Sequence, residues 1–314
     1  MSRSTSAIKY NFSAGTFHDT GLVDGIGLQL MKLSAKMTRP MEYAGMSVAH
    51  RLLRSVLPSR RRIETELFPD TKFVFPYGDA YWGTLLDNSC LYSPECEEFL
   101  MSIRDEDYTF IDCGANYGYM SAIITSDAYG NKPSIAIEAD PGTFEILQEN
   151  AAINDHRFKI MNRAIFSKSG EMVNMSGAKH EARSILDDDG NMHQGNVETL
   201  ALDDLIDWIK AQGHEKVMLK LDVEGVEIDA MKGATKLLDT ELAVFYEDHA
   251  ADKTHAVSRY FLETLGMRVF YPDGTRCREI RNINDVSDFK VHSHIGYDFI
   301  ATNSEPWLKT IRGD

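Results

Sequence analysis

The chain has 314 residues, of which 43% are hydrophobic and 26% are charged, and its formal net charge is −15. This composition is typical of a globular protein, and the length suits one large domain with an appendage or two small domains. Residues 1–62 carry ten Lys or Arg against three Asp or Glu, a net charge of +7, which leaves −22 for the rest. A body this acidic repels phosphates, which argues against a nucleic-acid partner.

The sequence also indicates in which cellular compartment the protein is found. The four cysteines form no CxxC pair and have no zinc-site spacing, as expected of buried, reduced thiols. No apolar run approaches the roughly 20 residues of a transmembrane helix, and the N-terminus has no signal-peptide pattern. We therefore expect a soluble, cytoplasmic protein. The basic N-terminal segment is suited to an anionic partner or a membrane surface, but we favour a solvated helix face that packs on the acidic body.

In chain order, the first predicted elements are few. Residues 1–30 lack a sustained period and predict a loosely ordered arm, whereas the apolar spacing over 40–57 predicts an amphipathic helix. Residues 71–84 predict a strand and a turn, and a helix begins near Ser93. The predicted domains are a basic, partly helical arm or cap at 1–66 and a main domain at 67–314, with a lead-in hairpin and helix at 67–107 and a core sheet at 108–303.

From Tyr108 onward, short apolar runs alternate with helical patterns. Continuous apolar strands separated by helices predict a buried parallel sheet that is covered by helices on both faces. Residues 170–176 and 196–200 predict an additional hairpin, joined by a polar loop at 179–194. The predicted strands are 109–113, 134–138, 158–162, 217–222, 242–247, 267–271 and 298–302, with helices at 118–126, 141–154, 202–212, 227–238 and 254–265.

The stretch Asp112-Cys-Gly-Ala-Asn-Tyr-Gly118 joins a predicted strand directly to a helix. Open parallel sheets bind ligands beyond the carboxyl ends of such strands, and Gly114 and Gly118 let a ligand approach the backbone. A dinucleotide site would have glycine in place of Asn116, and a carboxylate at Asp112 would repel its phosphates. S-adenosylmethionine carries no phosphate, and its ammonium and sulfonium groups are cationic. The charge therefore favours this methyl donor.

Glu138 ends the next predicted strand, 24 residues past Gly114. A carboxylate at this position can accept hydrogen bonds from both ribose hydroxyls of a nucleoside. Asp140 and Pro141 then start a helix as its N-cap and first helical residue. The alternative is that Glu138 only ends a strand at the surface and binds no ligand. Its spacing from the glycine loop makes this alternative the less favoured one.

Two further strand ends carry candidate catalytic residues. Asp222 follows an apolar run and has three possible roles: to hold the methionine ammonium, to act as general base, or to bind a divalent cation together with Glu224. Glu247 and His249 follow the fifth strand, and either can accept the proton of a hydroxyl group. A solvated loop is nearly as good an interpretation of His249. Glu227 is more simply explained as a first-turn carboxylate that the helix dipole favours.

A weaker pattern lies near the last predicted strand. His292 and His294, with Asp298, have a spacing that metal sites also use, but we interpret them as loop residues that precede the strand. The predicted divalent cation therefore depends on the carboxylates Asp222, Glu224 and Glu247.

Four ordered motifs together resemble the FkbM-type methyltransferases, over roughly residues 70–303. The resemblance implies a class I methyltransferase fold: an α/β, Rossmann-like three-layer sandwich whose seven-stranded, mostly parallel sheet has an antiparallel last strand. The N-terminal helical segment is an appendage to it. The motifs are Asp112-x-Gly114-Ala115-Asn116-x-Gly118, Glu138-x-Asp140-Pro141, Thr199-Leu200-x-Leu202-Asp203 and Lys220-x-Asp222-Val223-Glu224-Gly225-x-Glu227.

The resemblance also implies O-methylation of a sugar or polyketide-type hydroxyl, with S-adenosylmethionine as methyl donor. The methionine moiety would contact the glycine loop, the ribose Glu138, and the adenine the residues just past the third strand. The residues predicted to bind the cofactor are Asp112, Gly114, Ala115, Asn116, Tyr117, Gly118, Glu138, Ala139, Asn162, Arg163, Ala164 and Asp222.

Partners follow from the same interpretation. The acceptor is a small hydroxylated molecule, and the arm at 1–66 either caps its site or mediates a homodimer.

Two alternative functions stay open. One is a nicotinamide-dependent oxidoreductase on a related sheet, against which Asn116 counts. The other is a catalytically inactive, methyltransferase-like protein that binds another protein through its arm.

Overall fold

The computed structural model describes residues 7–41, 43–90, 92–175, 195–249, 251–273, 276–291 and 296–313. The polar loop at 179–194 and both His292 and His294 lie outside this part of the chain. Contacts divide the chain into two compact units, residues 1–93 with 152–155, and residues 94–151 with 156–314. The boundary predicted at residue 66 falls within a strand of the first unit. Within the described residues, no helix has the length and apolarity needed to cross a membrane.

The first unit combines a four-stranded sheet with two helices. The strand order is β2-β1-β3-β4, and β1 pairs parallel with β3 whereas the other pairs are antiparallel. The strand predicted near residue 73 is confirmed as β4, which pairs with the preceding strand. The elements are β1 (Ile8–Asn11), β2 (Thr16–His18), α1 (Leu22–Thr38), α2 (Met46–Val56), β3 (Arg62–Phe68) and β4 (Thr71–Pro76).

Helix α1 was not predicted, because residues 1–30 have no single apolar face. Its buried face carries Leu28, Met31 and Ala35, while other apolar side chains of the same helix are exposed. Apolar residues in several directions leave no amphipathic period to detect. The expectation of a loosely ordered arm is therefore wrong from Ile8 onward, since β1, β2 and the first half of α1 all lie within that segment. Helix α2 is shorter than predicted and starts after Gly45, which has a φ of 84°.

The second unit contains an eight-stranded sheet in the order β14-β13-β15-β12-β11-β5-β6-β7. β15 runs antiparallel to β12 and β13, and β14 pairs antiparallel with β13 at the edge. All seven strands predicted for the core are confirmed, and the antiparallel last strand with them. The strands are β5 (Tyr108–Cys113), β6 (Ser134–Glu138), β7 (Lys159–Asn162), β11 (Lys216–Leu221), β12 (Glu241–Glu247), β13 (Arg268–Asp273), β14 (Arg276–Ile280) and β15 (Asp298–Thr302).

The predicted count of seven strands is wrong by one, because β14 was missed. Its sequence, Arg-Cys-Arg-Glu-Ile, is mostly charged. Charged side chains are common on edge strands, where they prevent further strands from pairing. An apolar run is therefore absent at the edge of the sheet, although the backbone pairing is regular from Arg276 to Ile280.

Helices cover both faces of this sheet. In β6, Ile135 and Ile137 belong to one apolar cluster, and Ala136 between them belongs to another. The first cluster includes residues of α6 and α7, and the second includes residues of α4 and α5. This is the predicted three-layer arrangement. The helices of the unit are α3 (Pro94–Ser102), α4 (Tyr119–Ile124), α5 (Pro141–Ile153), α6 (Ile206–Ala211), α7 (Glu227–Lys232), α8 (Ala256–Arg259) and α9 (Glu305–Arg312).

A small sheet of three strands accompanies the main sheet. β10 pairs antiparallel with β9, which confirms the predicted hairpin, and parallel with β8. The position of the candidate site follows from the main sheet. The chain passes from β5 to β6, its neighbour on one side in the sheet, while β11 is the neighbour of β5 on the other side. The strand order reverses here, which is where open α/β sheets bind ligands. The small strands are β8 (Ala164–Ile165), β9 (Met172–Val173) and β10 (Val197–Leu200).

Candidate active site

The register of the strands gathers ionisable side chains at the carboxyl edge of the sheet. Lys220 of β11 pairs with Asp112 of β5, and Glu247 of β12 pairs with Asp298 of β15. Paired residues on adjacent strands point to the same face, as do residues two apart along one strand. Asp222, two residues past Lys220, therefore shares the face of this group.

The loop after β5 has the left-handed backbone that its sequence requires. Gly114, Asn116 and Gly118 have φ values of 73°, 51° and 83°. Asparagine tolerates this region better than most side chains do, so Asn116 can stand where many nucleotide loops have glycine. The N–H groups of Gly114 and Ala115 both donate to the carbonyl oxygen of Ile137, at 3.0 Å. These bonds fix the loop to the end of β6.

Gly114 lies directly against the end of β11. A Cβ at this position would lie 1.7 Å from the carbonyl oxygen of Asp222. A side chain cannot fit there without movement of one backbone. The loops that follow β5 and β11 thus touch through their main chains, which joins two of the predicted site segments.

The loop ends in a buried turn. The side chain of Tyr117 is 3% exposed, and its carbonyl oxygen accepts a bond from Nδ2 of Asn150 at 2.9 Å. Its N–H donates to Oδ1 of Asn116, also at 2.9 Å. Tyr117 and Ala115 therefore present mainly backbone atoms to a ligand.

Glu138 bridges the glycine loop and the start of α5. Its Oε2 accepts from the N–H of Asn116 and its Oε1 from the N–H of Asp140, both at 2.8 Å. The residue is 8% exposed, and burial raises the pKa of its carboxyl to about 7 although both N–H groups oppose the shift. Each carboxylate oxygen can accept a second hydrogen bond. Glu138 is thus positioned to bind two donors of a ligand.

Asp112 is directed into the protein. Its side chain is 1% exposed, and Oδ2 accepts from the N–H and the Oγ of Ser121 at 3.1 and 2.9 Å. Oδ1 lies 4.0 Å from Nζ of Lys220. Burial raises the pKa of the Asp112 carboxyl, and Lys220 opposes that shift. These contacts anchor the first turn of α4, while a direct contact of Asp112 with the cofactor stays a prediction.

Lys220 is a site residue to which the sequence assigned no role. Its Nζ lies 2.9 Å from Oδ2 of Asp222 and 4.0 Å from Asp112. Burial acts to lower the pKa of Lys220, but the carboxylates of Asp222 and Asp112 outweigh burial and raise it. Lys220 therefore stays protonated between two carboxylates. A lysine within an otherwise apolar strand was the available signal.

Burial favours the protonated form of Glu247. Together with the charges of Asp222 and Asp298, burial raises the pKa of its carboxyl far above the usual range, and a side-chain hydrogen bond with Asp222 acts in the same direction. The backbone of Gly296 lies against this carboxyl, where a Cβ would overlap Oε1. Glu247 and Asp222 thus form a hydrogen-bonded pair.

The other catalytic candidates have different surroundings. Glu224 has a φ of 53° and lies close enough to Glu247 to add to its raised pKa. The side chain of His249 is exposed, and its Nδ1 accepts from the N–H of Ala251 at 3.1 Å. Glu227 accepts from the N–H groups of Val223 and Gly225 at 3.3 and 3.1 Å, so it holds the turn before α7.

Metal binding is not supported in the part of the chain described above. Within it, His, Cys, Asp and Glu side chains form no group of three or more that could hold a metal ion. The divalent cation predicted from Asp222, Glu224 and Glu247 therefore has no donor set there. The ammonium of Lys220 supplies the positive charge beside Asp222 instead.

The residues predicted to contact an adenine ring line the end of β7. Nδ2 of Asn162 donates to the carbonyl oxygens of Glu138 and Ala139, at 2.8 and 3.0 Å. Arg163 donates to the carbonyl of Asn162 at 2.8 Å and pairs with Glu198 at 3.0 Å. Ala164 is buried in β8. Asn162 thus ties this segment to the end of β6, next to Glu138.

Comparison with known proteins gives a family. A family model described as the methyltransferase FkbM domain matches residues 112–269. The hexuronic acid methyltransferase AglP of Haloferax volcanii is 26% identical over 165 residues, which are 52% of this chain and 65% of that protein. The match thus spans just under two thirds of this relative.

Similar solved structures include two methyltransferases. A methyltransferase FkbM from Methylobacillus flagellatus KT has 16% identity and a TM-score of 0.38, and the match covers 62% of this chain and 43% of that one. An O-methyltransferase from Thermotoga maritima has 14% identity and a TM-score of 0.35, with 80% of each chain covered.

We predict that Gly114→Ala destabilises the protein by about 3 kcal/mol or more, since the new Cβ collides with the backbone of Asp222. Gly213→Ala is the matched control, because Gly213 has a similar φ of 80° but open space around it. It should cost only the left-handed backbone penalty of about 1 kcal/mol. Urea unfolding measures both, and equal losses would show that the contact with Asp222 is unimportant.

We further predict that Lys220→Met lowers the free energy of unfolding by about 3–5 kcal/mol, because Asp112 and Asp222 lose their buried cation. Lys232→Met removes an exposed pair with Asp229 and should cost less than about 1 kcal/mol. Thermal and urea unfolding compare the two. A loss at Lys220 no greater than at Lys232 would contradict the central role of this ammonium.

Proposed function

Because the chain belongs to the FkbM methyltransferase family, we propose that it transfers a methyl group from S-adenosylmethionine to a hydroxyl group of a small molecule. The observation that carries this proposal is the buried carboxylate of Glu138 at the switch point of the sheet. Its two oxygens already accept from Asn116 and Asp140, and each has the capacity to accept one further hydrogen bond. A ribose diol is such a pair of donors.

The residues around Glu138 fit this cofactor. The glycine loop offers backbone instead of side chains, since Gly114 has no room for a Cβ. Asn162 holds the segment past β7 beside Glu138, where we propose that the adenine ring lies. Two carboxylates, those of Asp112 and Asp222, lie near the single ammonium group of Lys220. Their excess negative charge favours a cationic ligand. The same carboxylates would repel the phosphates of a nicotinamide dinucleotide.

When bound, S-adenosylmethionine supplies a methyl group on a positively charged sulfur. The protein must then orient the acceptor hydroxyl and take up its proton. We assign proton uptake to Asp222, because the raised pKa of Glu247 favours its protonated form, which can donate to Asp222. Lys220, at 2.9 Å, holds the Asp222 carboxylate in place. Glu224 and His249 remain candidates for contact with the acceptor.

A sugar hydroxyl is the acceptor that we propose. The family supports methyl transfer, and the relative from Haloferax volcanii is a hexuronic acid methyltransferase. Sugar hydroxyls have a high pKa, so their methylation gains from a base such as Asp222. In this proposal the proton of the acceptor hydroxyl goes to the Asp222 carboxylate, which then becomes a second carboxyl group beside Glu247.

The proposal predicts that S-adenosylhomocysteine binds and that NADH does not. Isothermal titration measures both, with Glu138→Gln as the variant that should weaken S-adenosylhomocysteine binding at least about tenfold. Glu149→Gln on the exposed side of α5 is the control that should leave binding unchanged. Binding of NADH alone would favour the oxidoreductase. Binding of neither would favour a catalytically inactive interaction protein.

The raised pKa of Glu138 predicts a pH dependence. Ribose hydroxyls donate to the ionised carboxylate, and the pKa of the carboxyl without ligand is about 7. Affinity should therefore be full above pH 7 and should fall about tenfold per pH unit below it. Titration at pH 6, 7 and 8 measures this, and Glu138→Gln should remove the dependence. A flat profile for the unmodified protein would exclude Glu138 as the titrating ligand.

A further inference from the structure

The segment that contains helices α1 and α2 carries most of the exposed large hydrophobic side chains among the described residues. Twelve large hydrophobic side chains are exposed among the described residues, and ten of them lie between residues 22 and 56. Soluble proteins rarely gather so many on one segment unless that segment meets a partner. These ten, which we call the apolar stripe, are Leu22, Val23, Ile26, Leu30, Leu33, Met37, Met41, Val48, Leu52 and Val56.

On α1 the stripe is a continuous face. At about 100° per residue, its six members on this helix fall within an arc of about 100°. Leu28, Met31 and Ala35, which are buried in the unit, lie on the roughly opposite side. The helix thus has one apolar face for its own core and a second one that the core does not use. Leu22, at one end of this second face, is 83% exposed.

Helix α2 repeats the arrangement. Val48, Leu52 and Val56 recur every fourth residue and are exposed, whereas Met46 and His50 are buried on the other side. His50 lies 3.3 Å from the carbonyl oxygen of Met31 through its Nε2, so α2 packs on α1. Two neighbouring helices therefore each present an unused apolar face.

Cations accompany the stripe. Lys36, Arg51 and Arg60 form no ion pair with any residue that the structure describes, in contrast to Arg61, which pairs with Asp24 at 3.0 Å. Residues 1–62 have a net charge of +7, and the rest of the chain has −22. An anionic surface therefore attracts this segment and repels the remainder.

We propose that α1 and α2 form a membrane-binding surface, in which the apolar stripe enters the headgroup region of an anionic bilayer and Lys36, Arg51 and Arg60 contact lipid phosphates. Helices that lie in a bilayer surface combine such an apolar face with flanking Lys and Arg. Anionic lipids strengthen the binding through each nearby cation. A second copy of the chain is a poorer occupant, since it would bring two segments of the same net charge together. The proposal does not depend on the catalytic one.

Vesicle flotation with the full chain tests it. We expect binding to vesicles of phosphatidylcholine mixed with phosphatidylglycerol, weak binding to phosphatidylcholine alone, and loss of binding in high salt. The double variant Leu30→Glu/Leu52→Glu should lower partitioning by more than about tenfold. Lys36→Gln and Arg51→Gln should each lower it about fivefold.

The control is Met172→Glu/Val291→Glu, which changes the two large exposed apolar side chains that the described residues have outside the stripe and should leave partitioning unchanged. Circular dichroism and thermal unfolding of each variant check that the fold is intact. No binding to anionic vesicles, or equal binding to neutral ones, would overturn the proposal. So would a dimer in analytical ultracentrifugation that Leu30→Glu/Leu52→Glu dissociates, or a large loss of stability in that variant without any vesicle binding.

Discussion

The candidate site depends on one buried ammonium group. Lys220 lies between the carboxylates of Asp112 and Asp222, at the point where the order of strands in the sheet reverses. Without a cation, the buried carboxylate of Asp112 and the partly buried one of Asp222 would lose the positive charge that offsets their burial. The ammonium of Lys220 opposes the rise that burial causes in the pKa of Asp112, whereas burial and the charges of Asp222 and Asp298 raise the pKa of Glu247. The parallel register of β5 and β11 produces this arrangement by placing Lys220 opposite Asp112.

The same register explains why the glycine loop has so little freedom. Since β5 and β11 end side by side, the loops that leave them must share a narrow space, and Gly114 meets the carbonyl of Asp222 there. Glu138 then holds the loop from the other side through the N–H of Asn116. The backbone of the glycine loop is therefore held in place by contacts within the sheet edge itself.

The sequence predicted the main sheet well, because strands that are buried on both faces carry continuous apolar runs. It predicted the loop at Asp112 to Gly118 and Glu138 because turn residues and spacing are local properties. It missed the role of Lys220, since the two carboxylates that define this role come from β5 and from the end of β11, which only the register brings together. The sequence also predicted a direct contact between Asp112 and the ligand. In the structure, the Asp112 carboxylate instead accepts a hydrogen bond from Ser121.

The failure at α1 has a different physical cause. Hydrophobic periodicity detects a helix because one side packs and the other is solvated, which assumes a single apolar face. In α1, Leu28 faces the core of the unit while Leu30 and Leu33 face outward, so the average pattern cancels. A helix with two apolar faces does not show the single apolar period by which a helix is recognised in a sequence. The lack of a period over the first 30 residues and the apolar stripe on α1 thus have one origin, a second apolar face of this helix that is exposed to solvent.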